Sequence, residues 1–209
     1  MADNNIQGAV DFFFELGQLK RERHNGFLLS GVREPDTVAE HAWRAAQIGF
    51  VLAELENARA GEEVVSAERV ACMLLIHDNA ETRLGDQHKV AARYVDLKGA
   101  EAAAFADQLN GLGERVAGKW EAYRQEYESR ATREGIVAKD ADWLETALQA
   151  KEYLDLGYAS TQDFIDNVAA AVETQSAKEL VAALRTTQFT DWWKGLKKMT
   201  YRKLERGEA

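Results

Sequence analysis

Apolar positions recur along this chain at spacings of three and four residues, the period of helices buried on one side. In residues 6 to 21, IQGAVDFFFELGQLKR, they fall at Val10, Phe13, Phe14 and Leu16, with Leu19 close behind, which predicts a first helix. HNGFLLSGVREPD follows with two glycines and a proline and reads as a loop. A long helix resumes in DTVAEHAWRAAQIGFVLAELENAR, with Asp36 or Thr37 as its N-cap. Ser66 caps the next, SAERVACMLLIHDNAE, where Glu68 complements the first-turn dipole. The pattern over 84 to 98 decides nothing, whereas 99 to 134 is helical, as is IVAKDADWLETALQAKEYLDLG, which Gly157 would terminate. STQDFIDNVAAAV and a segment from Ser176 to about Arg206 add two more helices. No strand alternation, linker, low-complexity tract or internal repeat interrupts this series, so one all-α domain over residues 1–209 is expected.

Composition strengthens that reading. Pro35 is the only proline, and straight-chain residues, which lose little freedom in a helix, are abundant. The 26 basic and 35 acidic residues leave a net charge of −9, which disfavours nucleic-acid binding but leaves room for a small phosphorylated ligand held by a few local cations. Cys72 is the lone cysteine, so no intramolecular disulfide forms, and its neighbours VACMLLIH predict a buried, inert thiol. The N-terminal residues do not read as a secretory signal, and no apolar run reaches the ~20 residues of a membrane span, so a cytoplasmic protein is expected.

One stretch departs from the core pattern. LLIHDNAETRLGD begins as a buried helix and then places His77, Asp78, Glu81 and Asp86 within ten residues. On a continuing helix His77 and Glu81 share a face, with Val70, Met73 and Leu74 preceding them. Buried imidazole and carboxylate without partners cost several kcal/mol, so a shared partner is required. A second imidazole, His41, sits on the inward face marked by Val38, Ala42, Ala45 and Ile48. VAKDADWLETALQ supplies a further carboxylate from another helix, with Asp140 and Asp142 equally placed by spacing. Imidazole and carboxylate together suit a divalent metal.

The ordered set AEHAWR, LLIHDNAETRLGD and DADWLE resembles the HD-domain phosphohydrolases, specifically their small 5′-deoxynucleotidase-like branch. The similarity runs from about residue 20 through 172 and includes LQAKEYLDLG and TQDFIDNV, with a C-terminal helical extension over about 176–206. It implies a helical bundle with a metal site between helices. His41, His77, Asp78 and Asp142 would hold one divalent ion (Mn, Co, Mg, Fe or Zn), and the match selects Asp142 over Asp140 because Asp142 stands three residues before Glu145. Glu81 corresponds to a catalytic glutamate that orients or deprotonates a metal-activated water, and Asp86 to an aspartate handling the leaving 5′ oxygen. Arg44 matches a recurrent basic position for phosphate. Relatives carry an Arg-x-Gly-Trp loop where this chain has His24, Asn25, Gly26 and Phe27, so Arg23 becomes the substitute cation and Phe27 a stacking face or a core residue. His88 and Lys89 are expected at the pocket rim. His88 is the one histidine between the His77-Asp78 pair and Asp142, which argues for one metal rather than two.

The resemblance implies a homodimer that hydrolyses a nucleotide, foremost a deoxyribonucleoside 5′-monophosphate, with no nucleic-acid or membrane partner. Two alternatives remain at this point: hydrolysis of another phosphorylated metabolite or a nucleoside di- or triphosphate, and a metal- and nucleotide-binding regulator without turnover. FFFEL and DWWKGL read as core or subunit interface, WEAYRQEYESR as a charged surface helix, and KKMTYRK as a solvated last turn.

Overall fold

The computed structural model describes residues 6–196. Ten α-helices follow one another among the described residues: α1 (Ile6–Leu16), α2 (Asn25–Leu29), α3 (Val38–Ala60), α4 (Ala67–Ile76), α5 (Glu81–Leu84), α6 (Leu97–Leu109), α7 (Glu114–Ser129), α8 (Arg133–Asp155), α9 (Gln162–Ala171) and α10 (Gln175–Thr186). Their only strand-like pairing is an isolated bridge between Arg23 and Thr37. None of these helices is long and apolar enough to cross a membrane.

The frame of the bundle is α3 and α8, 23 residues each, with α4 packed on both. Thr37 starts α3 through a capping box: its hydroxyl accepts from the Glu40 amide at 3.2 Å, and Glu40 Oε2 accepts from the Thr37 amide at 2.7 Å. Such a cap contributes ~1 kcal/mol and fixes where the helix begins. Inward positions are small: Ala45 and Ala53 on α3, and Ala138, Ala141, Ala147 and Ala150 on α8, are fully buried. Gly49 sits where α3 crosses α4, and a Cβ there would lie 2.2 Å from Leu74 Cδ1 and 2.8 Å from Val70 Cγ1. The two backbones approach closely because that side chain is missing. Val70, Met73 and Leu74 of α4 complete the main core. Two smaller clusters flank it, one around Phe27, Tyr153 and Ile165, the other around Ile76, Phe105 and Leu109.

Several expectations change. In α1 the buried face is that of Phe12, whereas Val10, Phe13 and Phe14 lie on the outer side of the helix and Leu16 is half-buried. The expected loop after residue 24 contains α2, whose Phe27 enters the core. Residues 99–134 divide at Asn110–Gly113, where Gly113 takes a positive φ of 79° before α7. Helix α4 stops at Ile76, and the turn through 77–80 is closed by the 3.0 Å bond from the Glu81 amide to the Asp78 carbonyl. His77 and Glu81 therefore do not share a helix. Cys72 is exposed on the outer face of α4, since Met73 and Leu74 take the inward positions. Thr186 ends α10 well before Arg206, and DWWKGL folds as a short 3-10 turn with Trp192 and Trp193 exposed. KKMTYRK lies outside the described residues.

Candidate metal and phosphate site

The close packing of α3, α4 and α8 brings four side chains to one point. His41 comes from the second turn of α3, His77 and Asp78 from the end of α4, and Asp142 from the middle of α8. His41 Nε2 lies 3.1 Å from Asp142 Oδ1 and 3.6 Å from Asp78 Oδ2. His77 Nε2 lies 3.0 Å from Asp78 Oδ2 and 3.6 Å from Asp142 Oδ1. The other ring nitrogens face away: His77 Nδ1 donates to the Leu74 carbonyl at 2.7 Å, and His41 Nδ1 to Glu145 Oε2. That assignment leaves both Nε2 lone pairs aimed at the carboxylates. His77 Nε2 is buried without a hydrogen-bond partner. An orphaned lone pair between two carboxylates and a second imidazole fits a divalent cation, and the donor set fits a borderline or hard one.

Asp140 and Asp142 separate cleanly. Asp140 turns to the start of α10, accepting from the Glu173 and Thr174 amides, with 2.7 Å to the latter. Asp142 enters the cluster, and its second oxygen accepts from Tyr127 Oη at 2.7 Å and Lys139 Nζ at 2.8 Å. Burial opposes the Asp142 charge, but Lys139, His41 and His77 overcome it and hold the carboxyl well below its usual range. Burial and the adjacent Asp142 push the Tyr127 phenol well up, so it stays a donor. Sequence reading assigned no role to Tyr127, whose segment looked like a surface helix, or to Lys139. A lysine three residues before an inward aspartate was the available signal for Lys139; nothing local distinguished Tyr127.

A further group, His24, His41 and Glu145, also meets ligand spacing, but its members are already paired. His24 Nδ1 stands 3.3 Å from Asp36 Oδ2, and Glu145 Oε1 accepts from Arg44 Nε at 2.7 Å. Arg44 also donates to Gln149 at 2.6 Å and to Glu152. It braces Glu145, which in turn holds His41, and so lies behind the cluster where a phosphate contact was expected.

Glu81 opens α5 beside the cluster. Burial, then Asp78 and Asp86, push its carboxyl well above the usual range. Asp86 is tied to the N-terminus of α2: its Oδ2 accepts from the Asn25 amide, and its carbonyl accepts from Asn25 Nδ2 at 2.6 Å. Burial raises its pKa despite His24 and these donors. Asp86, His24, His88, Lys89, Lys139 and Asp142 all border a cavity of ≈ 460 Å³. Two expected contacts are placed elsewhere. Arg23 donates to the Pro35 carbonyl at 2.8 Å. Phe27 is 0% exposed, wedged between Tyr153 and Phe164 at centroid distances of 5.0 and 4.7 Å, so it offers no face to a base. Burying the ring in the second core cluster outweighs leaving it at a pocket wall.

Comparison with known proteins agrees with this geometry. The profile of a family described as "HD domain" matches residues 16–185. The human protein named 5′-deoxynucleotidase HDDC2 is 28% identical over 195 residues, covering 90% of this chain and 90% of its own length. The Dictyostelium discoideum protein of that name is 30% identical over 153 residues, covering 71% and 78%. A conserved hypothetical protein from Pyrococcus furiosus superposes with a TM-score of 0.71 at 30% identity, over 85% of this chain and 99% of the other. A structure from Magnetospirillum magnetotacticum titled as a predicted metal-dependent phosphohydrolase gives 0.64 at 27%, over 88% and 90%. Together with the ordered His41, His77-Asp78 and Asp142 cluster, these matches establish that the chain belongs to the HD-domain phosphohydrolase superfamily, in its small 5′-deoxynucleotidase-like branch.

Proposed function

We propose that this protein is a metal-dependent phosphomonoesterase that hydrolyses deoxyribonucleoside 5′-monophosphates in the cytoplasm, acting as a homodimer. The observation carrying the reading is the buried, partnerless His77 Nε2 within reach of His41, Asp78 and Asp142, beside a cavity large enough for a nucleotide. A divalent ion held there supplies a Lewis acid for the phosphoryl oxygens and lowers the pKa of water. Asp142 is fixed by Tyr127 and Lys139, and His41 by Glu145, so the donors are positioned before substrate arrives. Glu81, which opens α5 beside the cluster, accepts the proton of the attacking water. The water oxygen bonds to phosphorus as the P–O5′ bond breaks, and the carboxylic acid form of Asp86 gives its proton to the leaving oxygen and regains one from solvent. The name 5′-deoxynucleotidase carried by the human and Dictyostelium relatives supports the choice of a deoxynucleotide.

The test is phosphate release from deoxy- and ribonucleoside 5′-monophosphates by metal-stripped protein reloaded with Mn, Co, Mg or Zn. Asp78→Ala should abolish both binding of the ion and release. Glu81→Gln should keep ion binding while kcat falls ~10²–10⁴-fold. Release that survives Asp78→Ala, or that requires no added ion after chelation, overturns the assignment.

A further inference from the structure

The cavity has a direction. On α8, Lys139, Asp142, Trp143 and Thr146 line it at spacings of three, four and seven, which is one helical face. On α9, Phe164, Asn167 and Ala171 do the same from the opposite side. Asp142 belongs to the metal cluster as well as to this trough, so one end of the trough is the reacting end. Trp143 and the α9 residues supply walls that the chemistry does not use.

The walls are of two kinds. Lys139, His24 and Asp86, which are ionisable, border the trough together with Asp142. So do the half-buried rings of Trp143 and Phe164. Phe164 is held in place by Phe27, at 4.7 Å between centroids and 32° between planes, so a wall ring is fixed from beneath by a fully buried one. Trp143 carries Arg130 and Lys139 within 5.5 and 5.7 Å of its ring, which orients the indole. Asn167 also borders the trough, exposed, with no hydrogen bond from its carboxamide among the described residues. A carboxamide offers a donor and an acceptor side by side, as base edges do. The ≈ 460 Å³ volume falls in the range of about 300–1,000 Å³ typical of pockets for small organic ligands.

We infer that the trough between α8 and α9 is the nucleobase subsite, with Trp143 and Phe164 as its aromatic walls and Asn167 as its polar contact. This rests on the phosphomonoesterase reading and deepens it. The phosphate lies at the Asp142 end, the sugar passes His24 and Asp86, and the base reaches α9. Affinity for the base comes mainly from the rings, and any ranking among bases comes from Asn167.

The experiment compares dAMP, dGMP, dCMP and dTMP with deoxyribose 5-phosphate, which carries the phosphoester without a base. In the wild type, kcat/KM for nucleotides should exceed that for the sugar phosphate. Trp143→Ala should shrink this ratio ~10-fold, consistent with the loss of one stacking surface. Trp143→Phe should restore most of it. Asn167→Leu, at an exposed position that the fold tolerates, should flatten the ranking among the four bases. Ratios unchanged in Trp143→Ala and Asn167→Leu, with phosphate still released, overturn the subsite while leaving the phosphomonoesterase intact. If the wild type releases no phosphate from any compound, the proposed function falls, and calorimetry decides the subsite separately. Binding of dAMP that Trp143→Ala weakens supports it, and binding indifferent to both substitutions removes it.

Discussion

At the scale of single residues, the site is governed by what surrounds each ligand rather than by the ligands alone. Asp142 is the clearest case, because one oxygen faces the imidazoles and the other is held by Tyr127 and Lys139. Lys139→Met removes the cation that offsets this buried carboxylate. Outer partners of metal ligands typically change affinity 10–100-fold, so Mn²⁺ binding measured by calorimetry should weaken by about that factor. Tyr127→Phe removes one neutral donor and should weaken it less. Equal affinities in wild type and Lys139→Met would show that Asp142 needs no such anchor. His41 and the His77-Asp78 pair stand out in the sequence because they interrupt apolar stripes with groups that demand a partner, whereas spacing leaves Asp140 and Asp142 level and only the family resemblance selects Asp142. Tyr127 could not, since a tyrosine in a charged helix has an ordinary explanation, and its role depends on a contact made across fifteen positions of chain.

At the scale of elements, small residues decide how closely helices approach, and two contacts can be tested. Gly49→Ala places a Cβ against Leu74 and Val70, forcing α3 from α4. A destabilisation of about 1–3 kcal/mol is expected in urea unfolding. Because His41 and His77 lie on those two helices, weaker metal binding should accompany it. The second contact ties α1 to α5 and α6. Glu15 accepts from Arg83 Nε at 2.6 Å, Gln108 Nε2 at 2.8 Å and Thr82 Oγ1 at 3.1 Å. Its hydrogen bond with Arg83 is the leading cause of a pKa below the usual 4.5, outweighing burial. A depressed folded pKa means the contribution is complete above the unfolded value and disappears as pH falls through the folded one. Glu15→Gln should therefore cost ~0.2–1 kcal/mol at pH 7, and in chemical denaturation the gap to wild type should close as the pH falls below the usual 4.5 and through the lowered folded pKa. Helix positions were largely legible from periodicity and caps: Thr37, Ser66 and Gly157 all mark ends as their chemistry predicts. The orientation of α1 was not, because three consecutive phenylalanines allow more than one face to turn inward, and the contact of Phe12 with Trp120 selects one.

At the scale of the molecule, the exposed apolar residues are unevenly distributed. Trp43, Phe50, Val51 and Leu55 occupy one outer face of α3. Leu75 is exposed on α4, which packs against α3. A Trp that is 63% exposed in such a stripe is a feature of association surfaces more than of free ones. The homodimer proposed above predicts that Trp43→Asp with Val51→Asp will halve the mass measured by light scattering. A wild type that is already monomeric at micromolar concentration would count against the dimer. The same outer face explains why Cys72, embedded in an apolar sequence, is nevertheless accessible.

By itself the sequence determined the helical class, the caps and the residues able to bind a cation, because these follow from local periodicity and from the solvation cost of charge. Tertiary structure decided the rest. It turned Asp140 towards α10 and Asp142 into the cluster, sent Arg44 behind His41, buried Phe27 beneath Phe164, and ended α4 before Glu81. Each choice depends on which helix lies opposite, and that is fixed by packing between residues far apart in the chain.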